Sequence, residues 1–193
     1  MTKIKIGIGL AIVVLLVAGF FWLRNLTKND HIDFGTDTEI DITPTQIQNI
    51  LAIGEWEFLS ISAEELVDTI RKGLFTNDEL ARIYYGTLRL GVNMHQVKPG
   101  WIETKGDSVT MTLPAIGLLD KDFIDEARTK SFYESGSWKP ADREVLYRKA
   151  YRMMTQHCLT EENLQAAESN GREQFTNMLQ SMGYTNVNIT FQK

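Results

Sequence analysis

Histidine and cysteine side chains are the first candidates for chemistry in this sequence. His157 and Cys158 are adjacent, and neighbouring residues on a helix point about 100° apart, so they do not face each other as base and nucleophile. His95 has no second histidine or cysteine at ligand spacing, whereas zinc requires three or four ligands. We therefore expect no catalytic residue, no metal ligand and no cofactor-binding residue here, and we assign His157 and Cys158 structural roles.

Acidic residues cluster at residues 120–126, in the sequence DKDFIDE. This run lacks the glycine and the closing glutamate that a calcium loop requires. We interpret it as a solvated acidic turn, and His31 with the aspartates near it as part of a polar linker. Paired carboxylates from distant positions, as glycoside hydrolases use, stay an open alternative that no residue pattern selects.

Two glycines, Gly86 and Gly91, interrupt the run RIYYGTLRLGVNM. A phosphate-binding loop requires Lys and then Ser or Thr directly after its second glycine, at the start of a helix. Val92 and Asn93 follow Gly91 here, in a stretch with the pattern of a strand. The spacing therefore favours backbone roles for both glycines over nucleotide binding.

The apolar positions change parity at Gly86, from odd-numbered residues such as Ile83 and Tyr85 to even-numbered residues such as Leu88. A strand has a side-chain period of two, so this change would move the apolar set to the other face. One extra residue at a β-bulge restores the face, and glycine tolerates bulge dihedrals. We therefore predict a bulge at Gly86. Gly91 is expected on the other face, where a missing side chain allows close approach of a partner.

Tryptophan side chains are candidates for stacking on a ligand. Trp138 lies in the polar loop YESGSWKP, beside Gly136 and Lys139, and is the best candidate for an exposed contact. Trp56 and Trp101 belong to strand patterns, where core packing is expected instead. Trp138 is therefore the one tryptophan that we predict as a contact residue.

The N-terminal residues give the clearest indication of location. Residues 6–23, IGIGLAIVVLLVAGFFWL, contain no charged or strongly polar side chain, and a helix of this length spans about 27 Å, close to the hydrocarbon thickness of a bilayer. We predict an uncleaved transmembrane anchor over residues 1–24. A cleaved signal peptide is an alternative, although the apolar run continues beyond the small residues VAG, and a buried soluble helix would show a polar face.

Basic residues flank the predicted anchor on both sides. Lys3, Lys5 and the terminal amine precede it, whereas Arg24 and Lys28 follow it. The small excess predicts a cytoplasmic N-terminus and an extracytoplasmic C-terminal domain. Residues 25–42 are polar and acidic without helical or strand periodicity, and we predict that they form a tether.

The charge balance excludes nucleic acid as a partner. The chain has 20 basic and 25 acidic residues and a net charge of -5. Setting aside Lys3, Lys5 and Arg24 leaves 17 basic residues, so the net charge from residue 25 onward is -8. Such a domain repels phosphate backbones, and no basic cluster offsets the repulsion. The single Cys158 excludes an internal disulfide.

A folded domain is predicted over residues 43–193. Thr43 and Gln46 form the capping box of a short helix that has Pro44 at its first position. EWEFLSIS then alternates as a strand. Residues 64–75 fit either a helix or the continuation of a long strand.

A hairpin is predicted over residues 101–113, with a Gly-Asp turn at Gly106 and an end at Pro114, which lacks the N–H that a ladder needs. Helical spacing then begins at Pro140 and continues to Gly183, as one helix or as two with a cap at Thr160. The sequence YTNVNITF returns as a strand.

Four stretches resemble the bacterial family catalogued as domain of unknown function 4230 (DUF4230): ITPTQIQNILAIGEWEF, YYGTLRLGVNM, SVTMTLPAIGLLD and LQSMGYTNVNITF. The resemblance covers about residues 42–193. It implies a membrane-tethered α+β domain and supplies no activity, catalytic residue or cofactor. The order of sheet, long helix and final strand is also loosely similar to stomatin- and prohibitin-like domains, an analogy that does not establish function.

The predicted fold class is α+β: a curved, mostly antiparallel sheet with a long C-terminal helix or helix pair and a final strand, preceded by one N-terminal transmembrane helix. The first functional hypothesis is a membrane-anchored, non-enzymatic envelope protein that contacts another protein or itself. The second is an extracytoplasmic module that binds a carbohydrate or a lipid. The third is an enzyme whose site the sequence does not reveal. An exposed apolar patch would favour the first hypothesis, and a concave pocket lined by aromatic side chains the second.

Overall fold

The computed structural model of the protein describes residues 43–193, so the predicted anchor and tether at residues 1–42 lie outside the described residues. The elements, in chain order, are α1 (Pro44–Ala52), β1 (Glu55–Lys72), β2 (Asn77–Asn93), β3 (Ile102–Lys105), β4 (Ser108–Leu113), β5 (Gly117–Leu118), β6 (Ile124–Glu134), α2 (Pro140–Cys158), α3 (Glu161–Ser181) and β7 (Asn186–Phe191). The fold is α+β, as predicted, with a mostly antiparallel open sheet, two C-terminal helices and a final strand.

The larger sheet is built on one long hairpin. β1 and β2 pair antiparallel over their whole length, from Glu55 opposite Asn93 to Lys72 opposite Asn77. The far edge of β2 carries β5 beside Leu90 and β6 from Leu80 to Gly86, both antiparallel. Residues 64–75, which fitted either a helix or a strand, therefore extend β1 to Lys72 before the chain turns.

The smaller sheet joins the predicted hairpin to the end of the chain. β3 and β4 pair antiparallel, and Gly106 in their turn has a φ of 60°. Such a conformation favours glycine because it has no Cβ. β7 pairs parallel with β4, from Val187 beside Val109 to Phe191 beside Leu113. β4 ends at Leu113, immediately before Pro114.

The helices begin where their capping residues predict. Thr43 and Gln46 form the capping box of α1: the Thr43 N–H donates to Gln46 Oε1 at 2.8 Å, and the Gln46 N–H donates to Thr43 Oγ1 at 3.2 Å. Thr160 Oγ1 accepts a hydrogen bond from the Asn163 N–H at 3.2 Å, so α3 is separate from α2. Each cap satisfies N–H groups that have no partner within the helix.

Both helices cover the same face of the larger sheet, which we call its inner face. Two apolar clusters lie there. One joins the β1–β2 hairpin and β6 to α2 through Val67, Tyr84, Leu146 and Met154. The other joins the base of the hairpin, the smaller sheet, α1 and α3, and it includes Phe58, Met111 and Phe175. The buried positions of β2 are even-numbered along almost its whole length.

The predicted bulge at Gly86 is wrong. β1 and β2 keep one register across Gly86, which pairs with Ala63 and has no positive φ. The core face of β2 is even-numbered on both sides of Gly86, because Tyr84 is buried while Ile83 and Tyr85 lie on the opposite face. The apparent change of parity came from assigning these two partly buried residues to the core.

The pairing of β1 with β2 contains a bulge, which lies in β1 opposite Gly91. Glu57 pairs with Gly91 and Leu59 pairs with Leu90, so Phe58 is an extra residue on β1. A Cβ at Gly91 would lie 1.9 Å from the carbonyl oxygen of Trp56. Gly91 therefore permits the close backbone approach that the bulge of β1 requires.

The interpretation of residues 120–126 as a solvated acidic turn is wrong for the residues in the middle of the run. Phe123 and Ile124 are buried against α2 and β2, and β6 begins at Ile124. Asp120 and Asp122 are exposed, and Asp120 Oδ1 accepts a hydrogen bond from the Asp122 N–H at 2.8 Å. Only the start of the run is a solvated turn, because the apolar pair carries the chain back to the sheet.

Candidate functional site

The residues singled out by type do not come together in one site. His157 is exposed, and its Nδ1 lies 2.5 Å from Glu65 Oε1. Cys158, the last residue of α2, is buried, and burial raises the pKa of its thiol. Within residues 43–193, no cluster of three histidine, cysteine, aspartate or glutamate side chains is placed to hold a metal ion.

Trp138 is half-buried, and it contacts Ser135 through its indole N–H and Arg71 through its ring. Its indole Nε1 donates a hydrogen bond to the Ser135 carbonyl oxygen at 2.7 Å, and the guanidinium carbon of Arg71 lies 4.4 Å from the ring centroid. Arg71 also contacts Asp142 at 2.9 Å, near the start of α2. The ring therefore packs between the end of β1 and α2, and the surface it offers to a ligand is small.

Trp56 and Trp101 belong to the core cluster around α3. Trp101 is buried. The Trp56 ring packs at 4.6 Å from the ring of Phe175, which also contacts Phe58 at 6.1 Å. Gly171 faces these aromatic rings from α3, where a Cβ would lie 2.9 Å from Phe58 Cε2. The absence of a side chain at Gly171 lets the helix approach the aromatic cluster closely.

A polar cleft of about 230 Å³ lies between β2, β6 and the start of α2. Its charged side chains are Arg82, Arg143, Glu126 and Glu144. Arg143 is paired with Glu134 at 2.7 Å. Burial raises the pKa of the Tyr84 hydroxyl at the bottom of the cleft, so the phenol stays protonated at neutral pH. The two arginines and two glutamates of the cleft balance each other in formal charge.

The most unusual surface of the domain is the outer face of the larger sheet, opposite the helices. Leu66 and Ile70 of β1 and Phe132 and Tyr133 of β6 are all at least half exposed, and Phe132 reaches 65%. We call these four side chains the apolar face. Strand residues alternate between faces, so Leu66 points away from the side on which its neighbour Val67 is fully buried.

Three side chains of the apolar face, Leu66, Phe132 and Tyr133, border an open hollow of about 580 Å³. The hollow is lined by Leu66, Asp68, Glu79, Ala81, Phe132 and Tyr133. Ala81 pairs with Asp68 on one side and Tyr133 on the other, which places the small side chain in the middle of the sheet between larger ones. A concave, mainly apolar surface with a polar rim is typical of a contact site.

The β1–β2 hairpin ends in a second exposed apolar element. Leu74 and Phe75 are 97% and 98% exposed, in the turn between Lys72 and Asn77. The turn is tight, since a Cβ on Gly73 would lie 2.2 Å from the Thr76 carbonyl oxygen. We call Leu74 and Phe75 the hairpin tip. The hairpin tip therefore leaves two large apolar side chains almost completely exposed to solvent.

Charged side chains border the apolar face unevenly. On β1, Glu64 and Asp68 share the outer face with Leu66, and Asp68 Oδ1 lies 3.6 Å from Lys149 Nζ of α2. On β6, Lys130 is opposite Ile83, which pairs with Leu66. The β1 border therefore carries Glu64 and the ion pair of Asp68 with Lys149, and Lys130 lies across the sheet from Leu66.

Arg128 adds a second basic residue to the β6 side. Its guanidinium carbon lies 4.8 Å from the ring centroid of Tyr85, which belongs to the outer face of β2. Asp125 pairs with Tyr85 in register, and its carboxylate accepts a hydrogen bond from the Arg128 N–H at 3.2 Å. With two basic residues and one acidic residue, this side has a positive excess.

Sequence reasoning did not find this surface. The sequence shows the apolar residues of β1, but it does not show which way they point, because residues 64–75 fit either a helix or a strand. Phe132 and Tyr133 lie in β6, whose polar sequence shows no clear alternation. The available signal was an apolar pair, Phe132 and Tyr133, within an otherwise polar stretch.

Comparison with known proteins confirms the predicted family resemblance. A family model described as Protein of unknown function (DUF4230) matches residues 48–189, which is well over half of the chain. No curated protein and no solved structure matches the chain. The similarity in element order to stomatin- and prohibitin-like domains is therefore not confirmed. Within residues 43–193, no helix combines the length and the apolarity that crossing a membrane requires.

Proposed function

The chain belongs to the DUF4230 family, which is described as being of unknown function, and we propose that it is a membrane-anchored, non-enzymatic envelope protein that acts through protein contacts. The observation that carries the proposal is the exposed apolar face with the hairpin tip beside it. Soluble monomers rarely expose a contiguous apolar surface of more than a few hundred Å², and such surfaces mark contact sites.

The chemistry of the apolar face suits a protein partner. Phe132 and Tyr133 supply aromatic surface, Leu66 and Ile70 supply aliphatic surface, and charged side chains lie at the border. Protein interfaces have this composition, with an apolar and aromatic centre inside a polar rim. The partner would gain contact with side chains that the domain itself leaves in water.

The membrane anchor is the second part of the proposal. Residues 6–23 have the length and apolarity of a single span, and the basic residues before it favour an N-terminus in the cytoplasm. Carbonate washing of membranes tests the anchor, since a spanning helix resists extraction. We expect the full-length protein in the pellet; its recovery in the supernatant, or a mature N-terminus at Phe20, would contradict an uncleaved anchor.

Photo-crosslinking in cells tests the contact surface. A photoreactive phenylalanine analogue at Phe132, within the apolar face, should give protein adducts of the full-length chain. The matched control carries the analogue at Val145, which is 60% exposed on α2, away from this face. Adducts from position 132 and none from position 145 are expected. Equal yields at both positions, or no adduct from position 132, would contradict the proposal.

An extracytoplasmic module for a carbohydrate or a lipid is the second candidate, because the hollow combines Phe132 and Tyr133 with the carboxylates of Asp68 and Glu79. Aromatic rings beside carboxylates suit a sugar, whose faces are apolar and whose hydroxyls donate hydrogen bonds. Thermal shift of the detergent-solubilised protein with a panel of oligosaccharides and lipids separates the candidates. A saturable rise in Tm that Phe132→Ala abolishes would favour this second function.

A further inference from the structure

We infer that the hairpin tip, Leu74 and Phe75, enters the interface of a lipid bilayer. This inference goes beyond the proposed function, because it gives the tip a partner of its own, distinct from the protein that the apolar face would bind. It is carried by the exposure of the two side chains, by the shape of the turn that presents them and by the charged residues beside them.

The tip projects beyond the contacts that support the hairpin. Arg71 Nη2 lies 2.9 Å from Asp142 Oδ2 of α2, and the Ser135 N–H donates a hydrogen bond to the Glu79 carbonyl oxygen at 2.8 Å. Beyond these contacts, residues 72–77 are all exposed. Leu74 and Phe75 are 97% and 98% exposed, whereas Phe132, the next most exposed large apolar side chain of the described residues, reaches 65%.

The shape of the tip suits a lipid surface. Two adjacent side chains at the end of a turn form a convex apolar point, which has roughly 300–400 Å² of side-chain surface. A stable protein interface is broad and buries about 800 Å² per partner, and a folded partner would need a pocket that matches the point. A bilayer interface accepts apolar side chains in proportion to their area and needs no preformed pocket.

The turn can enter the interface without burying unsatisfied backbone groups. β1 and β2 pair as far as Lys72 opposite Asn77, so only residues 73–76 lie beyond the ladder. The turn is tight, because a Cβ on Gly73 would lie 2.2 Å from the Thr76 carbonyl oxygen. Apolar side chains that bind at the interface lie about 5–10 Å deep, and the water of the headgroup region can still reach the polar groups of such a short turn.

The end of the domain that carries the tip has no net formal charge, although the domain as a whole is acidic. Asp78 and Asp142 both contact Arg71, at 4.0 and 2.9 Å. Lys72 is the second basic residue beside the tip and balances the remaining carboxylate. Glu79 pairs with Ile70 and therefore lies further from the tip than Lys72 does. A lipid surface would thus approach the tip without meeting uncompensated carboxylates.

Lys72 is placed to contact the lipid headgroups. It is exposed, lies two residues before Leu74 and forms no ion pair within residues 43–193. A lysine has a long apolar stem and a charged end, so its stem can follow the apolar side chains while its ammonium group pairs with a phosphate. Anionic headgroups would strengthen this contact.

Fluorescence quenching of the full-length protein in vesicles tests the inference. A Thr76→Cys variant carries an environment-sensitive fluorophore beside the tip, since residue 76 is exposed and the native Cys158 is buried. The vesicles contain phosphatidylcholine and phosphatidylglycerol, some with a nitroxide on the acyl chain, and iodide is present on both sides of the membrane when it is used. We expect strong quenching by the nitroxide lipid and weak quenching by iodide.

The matched control carries the same fluorophore at Gln156→Cys, which is exposed near the other end of α2. This label should show the reverse behaviour, with strong quenching by iodide and weak quenching by the nitroxide lipid. A label at position 76 that behaves like the label at position 156 would overturn the inference. The tip would then be left in water by lipid alone, and a protein partner would be the alternative.

Substitution of the tip tests whether its side chains drive insertion. Phe75→Ser should lower the ratio of inserted to withdrawn tips by about tenfold, and Leu74→Ser with Phe75→Ser by roughly 100-fold, because burial of each side chain contributes a factor of about ten or more. Val145→Ser, at an exposed apolar residue of α2, should leave the ratio unchanged. Lipid quenching that survives the double variant would overturn the inference. Unchanged circular dichroism and Tm confirm that each variant is folded.

Replacement of Lys72 tests the contact with the headgroups. Lys72→Gln should lower the same ratio by about fivefold in vesicles with phosphatidylglycerol and leave it unchanged in vesicles of phosphatidylcholine alone, because a basic residue gains from an anionic surface. An unchanged ratio in both kinds of vesicle would overturn the role of Lys72.

Failure of this inference can be told apart from failure of the proposed function. Quenching at position 76 uses only purified protein and lipid, so it does not depend on a protein partner of the apolar face. If position 132 gives no adduct in cells but the tip label is quenched by lipid, the protein contact is wrong and the lipid contact stands. If position 132 crosslinks but iodide alone quenches the tip label, the lipid contact is wrong and the proposed function stands.

Discussion

Gly86 and Gly91 both lie in β2, but they differ in the space that is available for a Cβ atom. A Cβ on Gly91 would lie 1.9 Å from the Trp56 carbonyl oxygen, a backbone atom that cannot move without shifting β1. A Cβ on Gly86 would lie 3.0 Å from the Phe123 carbonyl oxygen and 3.1 Å from Met154 Sδ. The first distance excludes any side chain, whereas the second requires a shift of a few tenths of an ångström.

Alanine substitutions should therefore separate the two glycines. Gly91→Ala is expected to destabilise the domain by about 3 kcal/mol or more, because β1 would have to move away from β2. Gly86→Ala should cost about 1 to 2 kcal/mol, because its neighbours need to shift by only a few tenths of an ångström. Gly117→Ala is the matched control in β5, where a Cβ would meet no atom within 4 Å. Urea unfolding gives all three values. Equal costs at positions 91 and 117 would contradict the close approach of β1 to β2.

The Cys158 thiol should be unreactive in the folded protein. The side chain is buried, and burial raises its pKa, so both access and the thiolate fraction are low. We expect Ellman's reagent at pH 8 to react slowly with the native protein and rapidly in guanidinium chloride. A variant with Gln156→Cys, on the exposed side of the same helix, provides the positive control. Rapid reaction of the native parent would mean that α2 does not cover this thiol.

At the scale of elements, Asp107 connects the β3–β4 hairpin to β7. Its backbone carbonyl accepts hydrogen bonds from the Thr185 and Asn186 N–H groups, at 3.0 and 3.2 Å. Its carboxylate accepts hydrogen bonds from the Thr185 hydroxyl and, at 3.2 Å, from Asn186 Nδ2. These hydrogen bonds lower the pKa of the Asp107 carboxyl, and the bond from the Thr185 hydroxyl has the largest effect. One turn residue therefore fixes where β7 starts beside β4.

The contribution of Asp107 should depend on pH. Its pKa is lower in the folded protein than the value of about 3.9 expected in the unfolded chain, so the stabilisation is present above pH 4 and is lost as pH falls through the folded pKa. Asp107→Asn should lower the urea midpoint at pH 7, and the difference from the parent should shrink at pH 3. Asp122→Asn, in an exposed loop, controls for loss of charge. A difference that grows in acid would contradict the assigned hydrogen bonds.

Elements with local signals could be predicted from the sequence, and elements defined by distant partners could not. The capping residues Thr43 and Thr160 and the turn at Gly106 act within a few residues, and each lies where it was expected. β6 is polar and mostly exposed, and only its pairing with β2 makes it a strand. The apolar face combines side chains of β1 and β6, so the same long-range pairing hid the candidate site.

At the scale of the whole molecule, the larger sheet has apolar side chains on both faces, buried on one and exposed on the other. The inner face packs against α2 and α3 and supplies two core clusters. The outer face remains exposed near the hairpin tip, whereas its base carries the ion pair between Arg89 and Glu57, 2.5 Å apart. The exposed apolar surface thus lies in the half of the hairpin away from Thr43.

The proposed side of the membrane for this surface follows from the predicted orientation of the predicted anchor. Lys3, Lys5 and the terminal amine outweigh Arg24 and Lys28 only slightly, and this excess favours an extracytoplasmic domain. The C-terminal Lys193 is exposed, so we choose it as the site for a fused reporter. We expect a C-terminal alkaline phosphatase to be active and a C-terminal reporter that works only in the cytoplasm to be silent.

Removal of the basic residues before the predicted anchor tests the cause of the predicted orientation. Because the excess is small, Lys3→Gln with Lys5→Gln should convert the phosphatase fusion from high to low activity, or to a mixture of both orientations. Arg24→Gln is the matched control, which enlarges the excess and should preserve high activity. A parent fusion that is active only with the cytoplasmic reporter would place the apolar face in the cytoplasm and contradict the proposed envelope location. The proposed protein contact would then have to form on that side of the membrane.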